Sequence, residues 1–263
     1  MNQHLANHLY IITGASRGMG LAIAGQLLKP GHFLLCISRH VNEDLAQAAR
    51  DAKVGLEQWP FNLDHTIEAA AMLSQWLASR KPGAFQSAAL INNAAVLPRI
   101  APLSAANAAD LARAMRVGLE APMQLTAAFL RETENWQALS SQPLIRKVLN
   151  ISSGNGRRAM ASQSIYSATK AGMDHFTRCL ALEEALKPHG AKVCSLAPGV
   201  IDTDMQTHLR DSDPAAFPDH SRFVDLKAHG QLSSPEDAAA RLLAYLGHAN
   251  FGNSPVADIR DAV

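Results

Sequence analysis

Leu9-Tyr10-Ile11-Ile12-Thr13-Gly14-Ala15-Ser16-Arg17-Gly18-Met19-Gly20 is the stretch that decides how this chain of 263 residues folds. An apolar run, Leu9 to Ile12, feeds a glycine-rich turn, and a helical pattern opens at Leu21. The order is strand, tight turn, helix. Gly14, Gly18 and Gly20 free the turn to take positive backbone torsions. They also let a ligand approach main-chain N–H groups, which attract phosphate at a helix start. With a strand before and a helix after, the expected ligand is the pyrophosphate of a dinucleotide.

Working outward from the turn, strand and helix patterns alternate. Leu21 to Leu28 reads as a helix stopped by Lys29-Pro30-Gly31, and His32 to Ser38 reads as a second strand. Glu43 to Asp51 has helical composition and Val54 to Phe61 reads as a strand. Asp64 to Ser79 reads as a helix capped by Asp64 and stopped near Pro82-Gly83. Ala88 to Ile91 is a short buried strand, and Ala105 to Arg131 a long helical region. Leu144 to Ile151 follows as a strand, Ser164 to Leu186 as a helix, and Val193 to Leu196 as a sixth strand. Apolar strands alternating with helices predict a parallel sheet covered on both faces, a doubly wound α/β fold in one domain. Such sheets bind ligands beyond the carboxyl ends of their strands, so the turns after Ile12, Ser38, Ile91, Ile151 and Leu196 should line one crevice. Residues 199 to 235 break the alternation with the polar stretch Arg210-Asp211-Ser212-Asp213-Pro214 and a helix-like Ser221 to His229. This segment reads as a substrate loop or lid.

Composition narrows the partners. Lys plus Arg number 24 and Asp plus Glu 23, giving a net charge of +1, so no basic face for nucleic acid or an anionic membrane is expected. The first eight residues, MNQHLANH, lack the apolar core of a signal peptide, and no stretch has the length to span a bilayer. Cys36, Cys179 and Cys194 fit neither a disulfide framework nor metal-ligand spacing, which points to no metal and to a reducing cytoplasm. His4, His8, His32, His40 and His65 read as solvated surface residues, and Trp59, Trp76 and Trp136 as packing residues.

The chemistry-bearing residues lie in two later segments. Asn150-Ile151-Ser152-Ser153-Gly154 ends the fifth strand, and Tyr166-Ser167-Ala168-Thr169-Lys170 opens the next helix. Tyr166 and Lys170, four apart, share a helix face. An ammonium near a phenol favours the phenolate, so Lys170 is expected to lower the Tyr166 pKa and make it a usable proton donor. Ser153 can donate a hydrogen bond to the same substrate oxygen.

These motifs, together with TGASRGMG, Asn92-Asn93-Ala94-Ala95, and Pro198-Gly199 followed by Thr203, resemble the short-chain dehydrogenase/reductase family in order and spacing. The resemblance implies a single Rossmann-like domain of about seven strands, a nicotinamide cofactor, and hydride transfer to or from a carbonyl carbon. Carried over by position, Tyr166 is the general acid in reduction, Lys170 holds the nicotinamide ribose, and Ser153 polarises the carbonyl. The cofactor-binding set it implies comprises Gly14, Ser16, Arg17, Gly18, Met19 and Gly20 in the turn, then Ser38, Arg39, Asn62, Leu63, Asn92 and Ala94. It continues with Tyr166, Lys170, Pro198, Gly199, Ile201 and Thr203. Asn92 would support the fourth strand and line the adenosine side, Pro198 to Ile201 would flank the nicotinamide, and Thr203 would contact its carboxamide or the phosphates.

A cofactor without a 2′-phosphate is typically held by an acidic residue at the end of the second strand. This strand ends Ile37-Ser38-Arg39 instead, and Arg17 lies in the turn, so the expected cofactor is NADP(H). Two positions depart from the family pattern. Gly118 stands where the family often has an Asn that kinks the long helix and holds a proton-relay water, and Ala95 stands where Gly is usual. Leu180-Ala181-Leu182-Glu183-Glu184, Ala197 to Gln206, and the tail from Leu226-Lys227-Ala228-His229-Gly230-Gln231-Leu232 to Asp258 resemble the branch that holds sepiapterin reductase and benzil-reductase-type enzymes. That branch reduces ketones and vicinal dicarbonyls, with Asp258 at the place of a substrate-anchoring carboxylate. Met160, Gln163 and Met205 flank the same site. The implied function is an NADPH-dependent carbonyl reductase working as a homodimer or homotetramer on a small-molecule substrate. The alternatives are a family member acting on a sugar, steroid or 3-oxoacyl thioester, and a non-catalytic NADP-sensing regulator.

Overall fold

The computed structural model describes residues 7–80, 83–137 and 142–261. Strand β1, His8–Thr13, runs at the centre of the sheet because alternate residues face opposite apolar layers. Leu9 and Ile11 pack into one buried cluster and Ile12 into the other. It pairs in parallel with β2, His32–Ser38, on one side and with β4, Ser87–Asn92, on the other. The outer strands are β3, Gly55–Pro60, then β5, Ile145–Ile151, β6, Lys192–Ala197, and β7, Val256–Asp258. All seven are parallel in the order β3-β2-β1-β4-β5-β6-β7. The order reverses between β1 and β4, and this switch point opens a crevice at their carboxyl ends.

Helices cover both faces. α3, Thr66–Ala78, α5, Ala121–Thr133, and α6, Ser164–Ala185, bury Leu73, Phe129 and Leu180 on one face. α1, Gly18–Gln26, α2, Glu43–Asp51, and α9, Pro235–Gly247, bury Ile23, Leu45 and Leu242 on the other. Trp76 is buried, and Trp59 and Trp136 pack against the same cluster. No helix among the described residues is long and apolar enough to cross a membrane.

Several expectations need correcting. α3 is capped by His65, and Asp64 instead accepts a hydrogen bond from Arg116 Nε at 2.5 Å. Proximity of a guanidinium outweighs a local cap. The helical region from Ala105 to Arg131 is divided into a 3-10 turn, α4 over Ala108–Met115, a π-helical turn over Arg116–Glu120, and α5. The extra residue per turn at the π segment brings Gly118 against Thr169 of α6, where an added Cβ would lie 3.2 Å from the threonine side chain. Residues 199 to 235 carry two helices, α7, Asp204–Arg210, and α8, His220–Ala228, the first of which polar composition concealed. His8 and His32 are half-buried, with His8 Nδ1 2.8 Å from Ser87 Oγ, and burial lowers both pKa values. His4 and Pro82 lie outside the described residues.

Candidate active site

The glycine turn is shaped by hydrogen bonds from three strands. Gly14 N donates to Ile37 O and Ala15 N to Ser38 Oγ, each at 2.8 Å, so the serine hydroxyl pins the turn to β2. Asn93 Nδ2 donates to the carbonyls of Thr13 at 3.0 Å and Gly14 at 3.2 Å, and Asn93 N and Ala94 N both donate to Thr13 Oγ1. Gly14 has φ +70° with the Ala94 backbone 3.0 Å from where its Cβ would be. At Gly20 a Cβ would stand 2.1 Å from the Gly14 carbonyl, so only glycine lets α1 start this close behind the turn. Arg17, at the N-cap of α1, makes no side-chain capping bond. The first N–H groups of α1 therefore face a cleft of about 940 Å³, bordered by Gly14, Ser16, Arg17, Gly18, Met19 and Gly20.

Ser153, Tyr166 and Lys170 border the same cleft. Ser153 is extended at the end of the β5 segment, accepts from Asn155 N at 3.2 Å, and borders the cleft beside Tyr166. Tyr166 and Lys170 stand on the first turns of α6, both buried. Lys170 Nζ donates to the Ile151 carbonyl at 2.7 Å and lies 5.7 Å from the Tyr166 ring centre. Burial pushes the Tyr166 hydroxyl up to about 12, with the Ser153 side chain acting the other way. This corrects the expectation that Lys170 would lower it. The ammonium is directed to a main-chain carbonyl, and desolvation of the phenolate dominates. Burial also brings Lys170 down to about 8, against the pull of Asp174.

The remaining expected residues are distributed unevenly. Ser38, Arg39, Asn62, Leu63 and Ala94 border the cleft at the carboxyl ends of β2, β3 and β4. Pro198, Gly199, Ile201, Thr203 and Met205 form the opposite wall, with Met160 and Gln163 beside them. Asn92 does not border the cleft. Its amide is buried beneath it and donates to Asn150 Oδ1 at 2.8 Å and Thr126 Oγ1 at 3.1 Å, tying β4 to β5 and α5. Asp258 is the last residue of β7, and both of its oxygens are taken by the Arg260 guanidinium, at 2.7 and 2.6 Å. Arg260 holds the Asp258 carboxyl below its ordinary range. Arg17 makes an ion pair with Asp204 of α7.

Four cleft residues escape a reading by motif alone. Asn93 was overshadowed by its neighbour, although the Asn-Asn pair itself was the signal. Asn155 donates to Gln163 Oε1 at 2.8 Å and so fixes the glutamine beside Met160. Arg157 and Arg260 carry no spacing signature, because only the approach of β7 to the turn after β5 brings them to the site.

A glycine cradle at the switch point of a parallel sheet, with serine, tyrosine and lysine across the cleft, defines a nicotinamide-dependent oxidoreductase fold, and the chain belongs to the short chain dehydrogenase family, whose pattern matches residues 8–214. It is an oxidoreductase acting on carbonyl or CH–OH groups. Among its relatives is the benzil reductase, (S)-benzoin forming, of Bacillus cereus, 33% identical over 246 residues, which covers 94% of this chain and 96% of that enzyme. The sepiapterin reductase of Mus musculus is 30% identical over 264 residues, covering 95% of this chain and 96% of that enzyme. A short-chain dehydrogenase/reductase of known structure from Burkholderia vietnamiensis superposes with a TM-score of 0.62 at 31% identity, covering 97% of this chain and 99% of its own.

Proposed function

We propose that this protein is an NADPH-dependent reductase of ketones or vicinal dicarbonyls. The observation that carries the reading is the meeting of Ser153, Tyr166 and Lys170 in the cleft that the glycine turn closes at its other end. The similarity to the benzil and sepiapterin reductases supports the dicarbonyl class.

The cleft suits a dinucleotide. At Gly14 and Gly20 a side chain would collide with the backbone of Ala94 and Gly14 that shapes the cradle, and the N–H groups of Gly18, Met19 and Gly20 at the start of α1 would receive a pyrophosphate with Ser16 and Arg17 beside them. Ser38 and Arg39, with no acidic residue at the end of β2, suit a 2′-phosphate, and Asn62, Leu63 and Ala94 would border the adenosine. Pro198, Gly199, Ile201 and Thr203 would flank the nicotinamide and Lys170 its ribose, while Asn92 supports the floor from below. Bound NADPH supplies the hydride.

The chain's own groups then orient the substrate and manage its proton. Ser153 donates to the carbonyl oxygen and polarises it. A phenol held near 12 is fully protonated at neutral pH, so Tyr166 is loaded to give its proton to the oxygen as negative charge develops there. Met160, Gln163 and Met205 border the substrate side. Leu209, Phe217 and Phe223 of residues 199 to 235 pack with Ile100 in an apolar cluster of their own, and we read this segment as the substrate lid of a single NADP-binding domain. Exposed Leu182 and Leu186 along α6 and Met123 on α5 support pairing of two copies through these helices, and three free cysteines support a reducing cytoplasm. The test is NADPH oxidation with benzil, sepiapterin, diacetyl and simple ketones. Turnover with a dicarbonyl, lost in Tyr166→Phe, is expected; no oxidation with any of them overturns the reading.

A further inference from the structure

The carboxylate of Asp174 is buried, and the proposed reaction leaves it unused. It lies on α6 at the third position of the series Tyr166, Lys170, Asp174, spaced four apart and so on one face of the helix. It is 1% exposed. Oδ1 accepts the Ser195 hydroxyl of β6 at 2.6 Å. Oδ2 has no hydrogen-bond partner and lies 3.6 Å from Arg157 Nε. The turn after β5 presses directly on this oxygen, since a Cβ on Gly156 would come within 2.9 Å of it and 3.0 Å of the Lys170 carbonyl. A desolvated carboxylate is costly unless cations share it; Arg157 lies 3.6 Å away, and Lys170 stands one helical turn before it on the same face of α6.

We propose that Asp174 is a positioning residue for the reaction: one helical turn beyond Lys170 on the same face of α6, and beside Arg157 and Ser195, its negative charge keeps the buried Lys170 protonated beneath Tyr166. This rests on the reading of Lys170 given above. Other charged groups on the surrounding elements are occupied elsewhere. Arg116 of the π turn binds Asp64, Glu120 accepts from Thr66, and Asp258 of β7 is closed by Arg260. Cys194 of β6, beside Ser195, is held as the neutral thiol, its pKa pushed up to about 11 by burial. Asp174 is accordingly the charge that opposes the desolvation of Lys170. Arg157 competes for it, so Arg157 weakens the effect that Asp174 exerts.

This competition gives the test a sign. The protein is labelled with ¹³Cε-lysine, Lys170 is assigned by its loss in Lys170→Arg, and its titration midpoint is followed by NMR, which requires neither cofactor nor substrate. In Asp174→Asn the midpoint falls by about one pH unit, and kcat/KM for carbonyl reduction drops about tenfold at pH 8.5 while changing little at pH 6. In Arg157→Gln the midpoint rises, because Lys170 then has the carboxylate to itself. Ser195→Ala lowers Tm without moving the midpoint. An unmoved midpoint in Asp174→Asn, or a fall in Arg157→Gln, overturns the proposal, and if Asp174→Asn does not fold, the direction in Arg157→Gln decides alone. A wild type that shows these shifts but reduces no carbonyl would refute the proposed function and leave this electrostatic coupling standing.

Discussion

Arg17 in the glycine turn and Asp204 at the first position of α7 form an ion pair that joins the two walls of the cleft, although they are 187 residues apart in sequence. Both side chains are largely exposed, at 68% and 75%, so the pair contributes little to stability. Its consequence lies in ligand binding, because a guanidinium engaged by a carboxylate is less available to a phosphate. Asp204→Asn should leave Tm within about 2 °C of wild type. It should also tighten NADPH binding several-fold relative to NADH. Arg17→Ala should narrow the preference for NADPH, and Arg17→Ala with Arg39→Ala should abolish it. Fluorescence titration with both dinucleotides measures this, and an unchanged ratio in the double variant would reject NADP(H) as the preferred cofactor.

Tyr166→Phe should preserve the fold and lower kcat by about 10²- to 10⁴-fold, the usual range for loss of a general acid. Activity and stability should diverge with pH. In the proposed mechanism reduction needs the protonated phenol and the Lys170 ammonium, so kcat/KM should be level below pH 8 and fall as Lys170, at about 8, loses its proton. Stability moves the other way. The folded-state pKa of Lys170 lies below the ordinary lysine value of 10.5, so between about 8 and 10.5 the unfolded chain binds the extra proton and this contribution to stability rises with pH. Tyr166 has the opposite sign, its contribution being lost as pH rises from 10 through about 12. Denaturant unfolding of wild type and Lys170→Met from pH 7 to 10 should show the difference moving in favour of wild type.

Gly118 is confined by Thr169, which cannot readily give way because its hydroxyl donates to the Tyr166 carbonyl at 2.7 Å. Gly118→Ala should therefore destabilise despite the better helix propensity of alanine, by about 1–3 kcal/mol of overpacking. It should also reduce kcat by displacing Tyr166. Gly118→Ala with Thr169→Ser should recover most of the loss. Thermal unfolding and steady-state kinetics of the three proteins check this, and a Gly118→Ala variant more stable than wild type would contradict it.

Arg260 closes Asp258 on both oxygens, leaving the carboxylate poorly placed to accept from a substrate ring N–H. Arg260→Leu should free it. The ratio of kcat/KM for sepiapterin, which carries ring donors, to that for benzil, which carries none, should rise about tenfold, the scale of one hydrogen bond to a charged group. Arg260 also holds Asp258 below its ordinary range, so the stabilisation of this pair is present near neutrality and lost as pH falls through that lowered value. The pH dependence of Tm in Arg260→Leu should accordingly be flatter below pH 4. A substrate ratio unchanged in this variant would remove Asp258 from the substrate site.

The sequence by itself determined the strand–turn–helix at Leu9 to Gly20, the alternation that makes a parallel sheet, and the cleft-facing positions of Ser153, Tyr166 and Lys170. These follow from glycine spacing, apolar periodicity and the four-residue helical repeat, all local properties of the chain. Tertiary structure decided which charges meet. Arg17 found Asp204, Asp64 left its helix for Arg116, Arg260 closed Asp258, and Asp174 came to lie beside Arg157 and Ser195. Burial, not the neighbouring ammonium, set the direction of the Tyr166 pKa, and the packing of Gly118 against Thr169 accompanied the division of one expected long helix. Coulomb and desolvation energies depend on distances and burial between segments remote in sequence, and neither spacing nor composition carries that information.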